Sequence, residues 1–264
     1  MTTKEINQRR DARLAYDLVS AASIDRDLME RIVAVRNLVC GRIIFTTSFG
    51  VEDQAIAHAI FEQALEIDVV TLDTGRLFPQ TYELWAQTER RYGRRMYAFY
   101  PDRARLESLV ARQGVDGFFA SVEARRACCG VRKVEPLQRA LAGAAAWITG
   151  LRADQSDERA GISFAAFDPN HRLIKVNPLF DWTRERVLSF IREHDIPYNS
   201  LHDCGFASIG CAPCTRAIAP GEPERAGRWW WEQDQRKECG LHGPHHPHIP
   251  GPGQIETSAE DERP

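Results

Sequence analysis

The sequence predicts an α/β protein: a parallel β-sheet with helices packed on both faces. Three observations carry that expectation. Short apolar runs rich in β-branched residues recur along the chain, stretches of helical periodicity separate them, and three of the runs lead into loops carrying Gly beside Ser, Asp or Arg.

The elements follow in order. Helices are expected over 12–20 and 27–39, with Asp27 or Ser23 capping the second. RIIFTT at 42–47 reads as a strand, 48–53 as a turn, and a helix runs on to about residue 66. IDVVTL at 67–72 is a second strand, followed by a loop over 73–79. Pro79 suits the first turn of the next helix, which extends to about residue 92. A third strand at 96–100, a helix over 103–113, a helical stretch over 131–141 and a buried strand at 145–149 complete the pattern. Residues 163–167 and 173–176 form a hairpin or two further strands, and 181–194 a last helix. No internal repeat is seen.

The chain divides into an α/β unit over 1–218, a segment over 219–242 whose prolines and glycines suggest mobility, and a Pro/Gly-rich then acidic tail over 243–264 expected to be disordered. Hydrophobic residues make up 43% of the 264, enough for a real core. Lys and Arg total 34 against 37 Asp and Glu, a net charge of −3, which argues against a general nucleic-acid binder. The N-terminal MTTKEINQRRDARLAY lacks the apolar stretch of a signal peptide, and no apolar run is long enough to cross a bilayer. A soluble, cytoplasmic protein is expected. In a reducing compartment its seven cysteines are metal ligands, catalytic thiols or buried residues rather than a disulfide framework.

Three constellations carry chemistry. The first is SFGVED at 48–53, between a strand and a helix. Backbone N–H groups at a helix N-terminus favour a phosphate or sulfate; Ser48 adds a hydroxyl donor, and Gly50 permits close backbone approach. Alone, such a turn is an ordinary connection. It gains weight because Asp73-Thr74-Gly75 and Gly150-Leu151-Arg152 follow other strands, so all three loops reach the sheet edge where open α/β folds bind ligands. Arg152 could grip an oxyanion bidentately. The second is the pair Cys128-Cys129 with the pair Cys211 and Cys214 far downstream. Four thiolates can hold zinc or an iron–sulfur cluster. Adjacent cysteines strain a single-metal chelate and suit the larger cage, although any one of them alone reads as a small buried hydrophobe. Arg125, Arg126, Arg132, Lys133 and Arg139 would set positive charge beside them. The third is Cys239 in ECGLH, a cysteine outside the core; Arg225, Arg228 and His242 are sources of charge favouring its thiolate.

Together these motifs resemble the bacterial, iron–sulfur branch of the sulfonucleotide reductases, from about Ser48 to His242. CCGVRKVEPL at 128–137, SIGCAPCTR at 208–216 and ECGLH at 238–242 carry the resemblance, with LDTG at 72–75 and GLR at 150–152 agreeing in order. It implies an adenine-nucleotide α-hydrolase-like sheet, a [4Fe–4S] cluster on Cys128, Cys129, Cys211 and Cys214, and Cys239 as nucleophile. Substrate contacts would come from Ser48, Phe49, Gly50, Glu52, Asp53, Asp73, Thr74, Gly75, Lys133, Arg152, Arg225, Arg228 and His242. The implied substrate is adenosine 5′-phosphosulfate and the implied reductant is thioredoxin or a similar dithiol protein; homo-oligomers are a family expectation. Cys40 and Cys204 fall outside the pattern, as do His245, His246 and His248 of the tail. Three alternatives remain. A reductase of the 3′-phosphorylated nucleotide shares the motifs. A PP-loop ATP pyrophosphatase usually carries SGG-x-DS, whose second glycine and final serine SFGVED lacks. A non-enzymatic nucleotide sensor has no need of a fifth thiol.

Overall fold

A computed structural model of the chain describes residues 13–14, 17–18, 26–232 and 240–241. The helices are α1 (Leu28–Leu38), α2 (Val51–Glu62), α3 (Pro79–Tyr92), α4 (Arg103–Gln113), α5 (Val122–Cys129), α6 (Glu135–Leu141) and α7 (Arg184–Glu193). The strands are β1 (Ile43–Thr47), β2 (Asp68–Leu72), β3 (Tyr97–Phe99), β4 (Ala146–Ile148), β5 (Ala165–Asp168) and β6 (Leu173–Val176). They form one six-stranded sheet in the order β3-β2-β1-β4-β6-β5. All neighbours are parallel except β5 and β6, which pair antiparallel as a hairpin.

Local signals set the helix ends. Asp27, not Ser23, caps α1: its carboxylate accepts from Glu30 N at 2.8 Å while Glu30 reaches back to Asp27 N at 3.3 Å. Pro79 opens α3, and Gly93, at φ +62°, closes it. α2 is buried all round from Val51 to Phe61, so it lies between the sheet and its covering helices. Its Ala and Ile residues join β1 and β2 in the main core; Leu137, Ala140 and Leu141 of α6 cover the other face around Ile44, Val70 and Trp147.

This order fixes where a ligand can go. The chain builds outward from β1 through β2 to β3, then returns to place β4 on the other side of β1. The loops after β1 and β4 therefore part in opposite directions, opening a crevice at the carboxyl edge of the sheet.

The structure adds one helix to the sequence reading. α5 was not expected; it runs through a π-turn at Gly130–Val134 into α6, so the predicted stretch 131–141 is the second half of a longer, interrupted helix. Within 219–232, the part of the segment expected to be mobile that is described, Arg228, Trp229 and Glu232 are buried, while residues 219–221 are exposed. The first predicted helix is described only at Arg13, Leu14, Asp17 and Leu18, and the tail over 243–264 lies outside the described residues. Among the described residues no helix is long and apolar enough to cross a membrane.

Candidate functional site

β1 ends at Thr47 and the chain turns through Ser48, Phe49 and Gly50 into α2. Phe49 takes φ +62° and buries its ring against Trp85, 5.7 Å between centroids. With that anchor set, Ser48 and Gly50 line a cleft at the crevice, bordered also by Phe49, Glu52 and Asp53. Asp53 folds back on the turn: its Oδ2 accepts from Ser48 N at 2.6 Å and from Ser48 Oγ at 2.8 Å. Burial lifts the Asp53 carboxyl to about 7, against the opposing pull of the Ser48 bonds. Gly150, after β4, makes this possible, since a Cβ there would stand 2.2 Å from Asp53 Oδ1.

Asp73 and Arg152 face inward instead. Asp73 Oδ1 accepts from Gly75 N and from the Tyr82 hydroxyl, both at 2.8 Å, closing a turn that Gly75 enters at φ +69°. Of the three residues Asp73, Thr74 and Gly75, only Thr74 borders the cleft. Its carbonyl accepts from Arg132 Nη1 at 2.6 Å, and its hydroxyl lies 3.3 Å from Cys211 Sγ. Arg152 is fully buried and does not line the cleft. Three carboxylates hold it: Glu52 at 2.9 Å, Asp154 at 3.0 Å and Glu224 at 2.8 Å.

The four paired cysteines line a second pocket beside the cleft. Cys128 and Cys129 end α5 where the π-turn begins, a local widening of the helix often found at functional sites. Cys211 and Cys214 flank a single 3₁₀ turn, with Cys214 N donating to Cys211 O at 3.0 Å. Burial pushes the Cys128 thiol up and the Cys214 thiol to about 11. Burial acts on Cys211 too, but Lys133, the Thr74 hydroxyl, Arg228 and Arg132 outweigh it and hold that thiol below its usual value. Arg125, Arg132 and Lys133 border the pocket as expected; exposed Arg126 does not, nor does Arg139, which pairs with Glu135 at 2.6 Å. Lys133, Arg228 and Trp229 border both cavities. All six described cysteines carry free thiols; Cys40 and Cys204 are exposed and line neither cavity.

Residues 215–232 form the remaining wall. Arg225 and Arg228 line the cleft. Gly210 lets Arg228 lie flat, because a Cβ there would stand 2.3 Å from its Nη2. The Arg125 and Arg228 guanidiniums both stack on the Trp229 ring, 4.6 and 4.7 Å from its centroid, and Trp229 N donates to Cys214 O at 3.1 Å. Four Arg–carboxylate pairs hold the segment: Arg216–Glu222 at 2.9 Å, Arg152–Glu224 at 2.8 Å, Arg184–Glu224 at 3.3 Å and Arg125–Glu232 at 2.8 Å. Cys239 and His242 lie outside the described residues; Leu241, beside His242, borders the cleft and packs on the face formed by Leu137 and its neighbours.

Residues 42–217 match the phosphoadenosine phosphosulfate reductase domain. The chain belongs to that family. The match contains both cysteine pairs and every sheet-edge loop, and stops short of Arg225 and Arg228. Among the relatives, an adenosine 5′-phosphosulfate reductase of Agrobacterium fabrum is 55% identical over 216 residues, covering 82% of this chain and 83% of the relative. One from Allochromatium vinosum is 54% identical over 200 residues, covering 76% and 78%. The phosphoadenylyl-sulfate reductase of Candida auris, solved as a phosphate complex, superposes with a TM-score of 0.65 at 26% identity, covering 80% of this chain and 97% of that one. The family fold is the nucleotide-binding parallel sheet expected from the sequence.

Within this reductase fold the structure gathers Ser48, Phe49, Gly50, Glu52, Asp53, Thr74, Lys133, Arg225 and Arg228 around one cleft. It sets Asp73, Gly75 and Arg152 behind that cleft. Sequence reasoning missed Glu224, Glu232 and Trp229. The alternation of Glu, Arg and Trp through PGEPERAGRWWWE was the signal that could have found them.

Proposed function

We propose that the chain reduces adenosine 5′-phosphosulfate to sulfite and AMP in sulfate assimilation for cysteine biosynthesis, in the cytoplasm, with a dithiol protein of the thioredoxin type as electron donor. The observation that supports this most directly is the cleft itself. It joins a phosphate-type turn at Ser48–Gly50 to a wall of Lys133, Arg225 and Arg228, and Leu241 of the ECGLH motif stands at the same cleft. The two bacterial relatives above are adenosine 5′-phosphosulfate reductases by name.

In this reading the Cys239 thiolate attacks the sulfur of the phosphosulfate. The sulfur–oxygen bond to the phosphate breaks, AMP leaves, and Cys239 carries the sulfonate as S-sulfocysteine. Lys133, Arg225 and Arg228 offset the charge gathering on the departing phosphate. One thiolate of the dithiol protein then attacks the Cys239 sulfur and sulfite leaves. The second thiol resolves the mixed disulfide, returning Cys239 as thiolate and the donor as its disulfide. The two electrons come from the dithiol.

Cys128, Cys129, Cys211 and Cys214 are the residues that would hold a [4Fe–4S] cluster. Four soft thiols in two pairs share one pocket, and the Arg and Lys side chains around it suit thiolates bound to iron. Among the described residues no three His, Cys, Asp or Glu side chains close on one point as they would around a single ion. Bound there, the cluster would supply structural cross-linking and local charge.

The test is a trapping experiment. Protein incubated with adenosine 5′-phosphosulfate and no dithiol should release one equivalent of AMP and gain one sulfonate on the peptide containing Cys239. Reduced thioredoxin should then free sulfite. Cys239→Ser should bind nucleotide yet form no adduct. Normal turnover by Cys239→Ser, or an adduct on Cys40 or Cys204, would defeat the reading. Running the 3′-phosphorylated nucleotide in parallel should give the lower kcat/KM.

A further inference from the structure

On α5, Arg125 precedes Cys129 by four residues, so one helical turn separates them and both side chains share a face. Arg125 is 1% exposed and borders the cysteine pocket but not the cleft. Its guanidinium is fixed from two sides. Glu232 takes the edge: Oε1 accepts from Nε at 2.8 Å and Oε2 from Nη2 at 2.9 Å. Trp229 takes the flat face, 4.6 Å from its ring centroid, and Trp229 N donates to the carbonyl of Cys214 in the other cysteine pair. Held in this way, the guanidinium also donates a hydrogen bond to the Cys129 side chain. A buried ion pair contributes little net stability once both charges have been taken out of water. What this one supplies is direction: a planar fork that cannot turn, aimed at one of the four sulfurs.

We propose that Arg125 is a positioning residue for the cluster, a donor that Glu232 and Trp229 hold against the Cys129 sulfur so that this ligand keeps its place on iron. The inference rests on the cluster assignment above. Four thiolates make a [4Fe–4S] centre an anion. A fixed N–H beside one ligating sulfur draws off part of that charge and restricts the side chain to the orientation that iron needs. Arg126, the next residue, shows the contrast: it is exposed and borders neither cavity. The reductase-domain match ends at residue 217, so Glu232 and Trp229 reach this pocket from the chain beyond it.

The test uses iron-loaded protein purified without oxygen and has two readouts. One is the rate at which a chelator takes the iron, followed by the fading colour; the other is the reduction potential of the centre by voltammetry. Arg125→Lys keeps the charge, but an ammonium cannot serve both oxygens of Glu232 and the Cys129 sulfur from one plane. It should lose iron about tenfold faster, the scale expected for removing a contact that orients a metal ligand. Its potential should fall, because a sulfur without its donor keeps more negative charge and resists the added electron. Glu232→Gln, which leaves Arg125 without its charged anchor, should move both readouts the same way and by less. Arg126→Lys should match wild type in both. Thermal melting of the loaded proteins confirms folding. Faster iron loss at an unchanged potential would mark general loosening and overturn the proposal, as would wild-type behaviour of Arg125→Lys in both readouts. Wild-type behaviour of Glu232→Gln would overturn the anchoring by Glu232. Wild type that carries no iron would instead sink the cluster assignment, and the positioning role with it.

Discussion

Gly150→Ala is a small change with a large expected effect. The added Cβ would lie 2.2 Å from Asp53 Oδ1, 3.2 Å from Glu52 Cβ and 3.4 Å from Asp53 Cγ. An ordinary contact needs about 3.4 Å or more, so the carboxylate must retreat by roughly an ångström, and α2, buried from Val51 to Phe61, has no room to follow. The retreat stretches the 2.6 and 2.8 Å bonds from Ser48 N and Ser48 Oγ beyond hydrogen-bonding range. Above pH 7, where the Asp53 carboxyl is ionised, bonds to it contribute about 1.5–3 kcal/mol each; allowing for partial recovery by water from the open cleft, the expected cost there is about 3 kcal/mol. In a chain of this size that lowers Tm by roughly 6–12 °C. Gly161→Ala is the control, since its Cβ would meet nothing within 4 Å, and it should stay within about 0.5 kcal/mol of wild type. The double-mutant cycle with Asp53→Ala closes the case: once the carboxylate is gone, Ala at 150 should add little further cost. Melting of Gly150→Ala within about 2 °C of Gly161→Ala, or full additivity in the cycle, would refute the reasoning.

Two further outcomes follow from the same cavities. The folded Asp53 carboxyl, pushed up to about 7 by burial, keeps its proton where the unfolded chain, near 3.8, has lost it. Its contribution to stability is therefore whole below pH 4 and lost as pH rises to 7, at about 1.4 kcal/mol per unit of pKa difference. Asp53→Asn cannot ionise, so its stability relative to wild type should climb over pH 4 to 7 in urea titrations; a flat difference would refute the assignment. His58, driven down to about 4 by burial and by His194, acts in the opposite sense, losing stability as pH falls from 6.5 to 4, and it cancels out of that difference. Protein purified without oxygen should be brown with about four irons per chain, and Ser at Cys128, Cys129, Cys211 or Cys214 should lose the colour and much of the folded stability; equimolar zinc without iron would refute the cluster.

The sheet was legible because its central parallel strands are buried on both faces and read as unbroken apolar runs. The turn after β1 and the loops after β2 and β4 were legible for a related reason: strand direction alone brings their residues to one edge. What stayed hidden depends on partners far away in sequence. α5, VEARRACC, buries Arg125, whose partner Glu232 is 107 residues on, and no local periodicity reports such a pair. The pairing of Arg152 with Glu224 was equally hidden, because Glu224 is 72 residues downstream. The burial of Arg228, Trp229 and Glu232 was hidden for the same cause. Prolines and glycines report the local preference of the chain, whereas these contacts come from ion pairs to distant residues and from Trp229 seated against Cys214.

Lys133, Arg228 and Trp229 stand between the cleft and the cysteine pocket and belong to the walls of both. The partition between the two cavities is one side chain thick. Charge added on the thiol side changes the potential that an anion meets on the other side, with no atom needing to travel. The two occupancies are therefore thermodynamically reciprocal: whatever factor a filled thiol pocket contributes to nucleotide affinity, bound nucleotide returns to the retention of what fills that pocket.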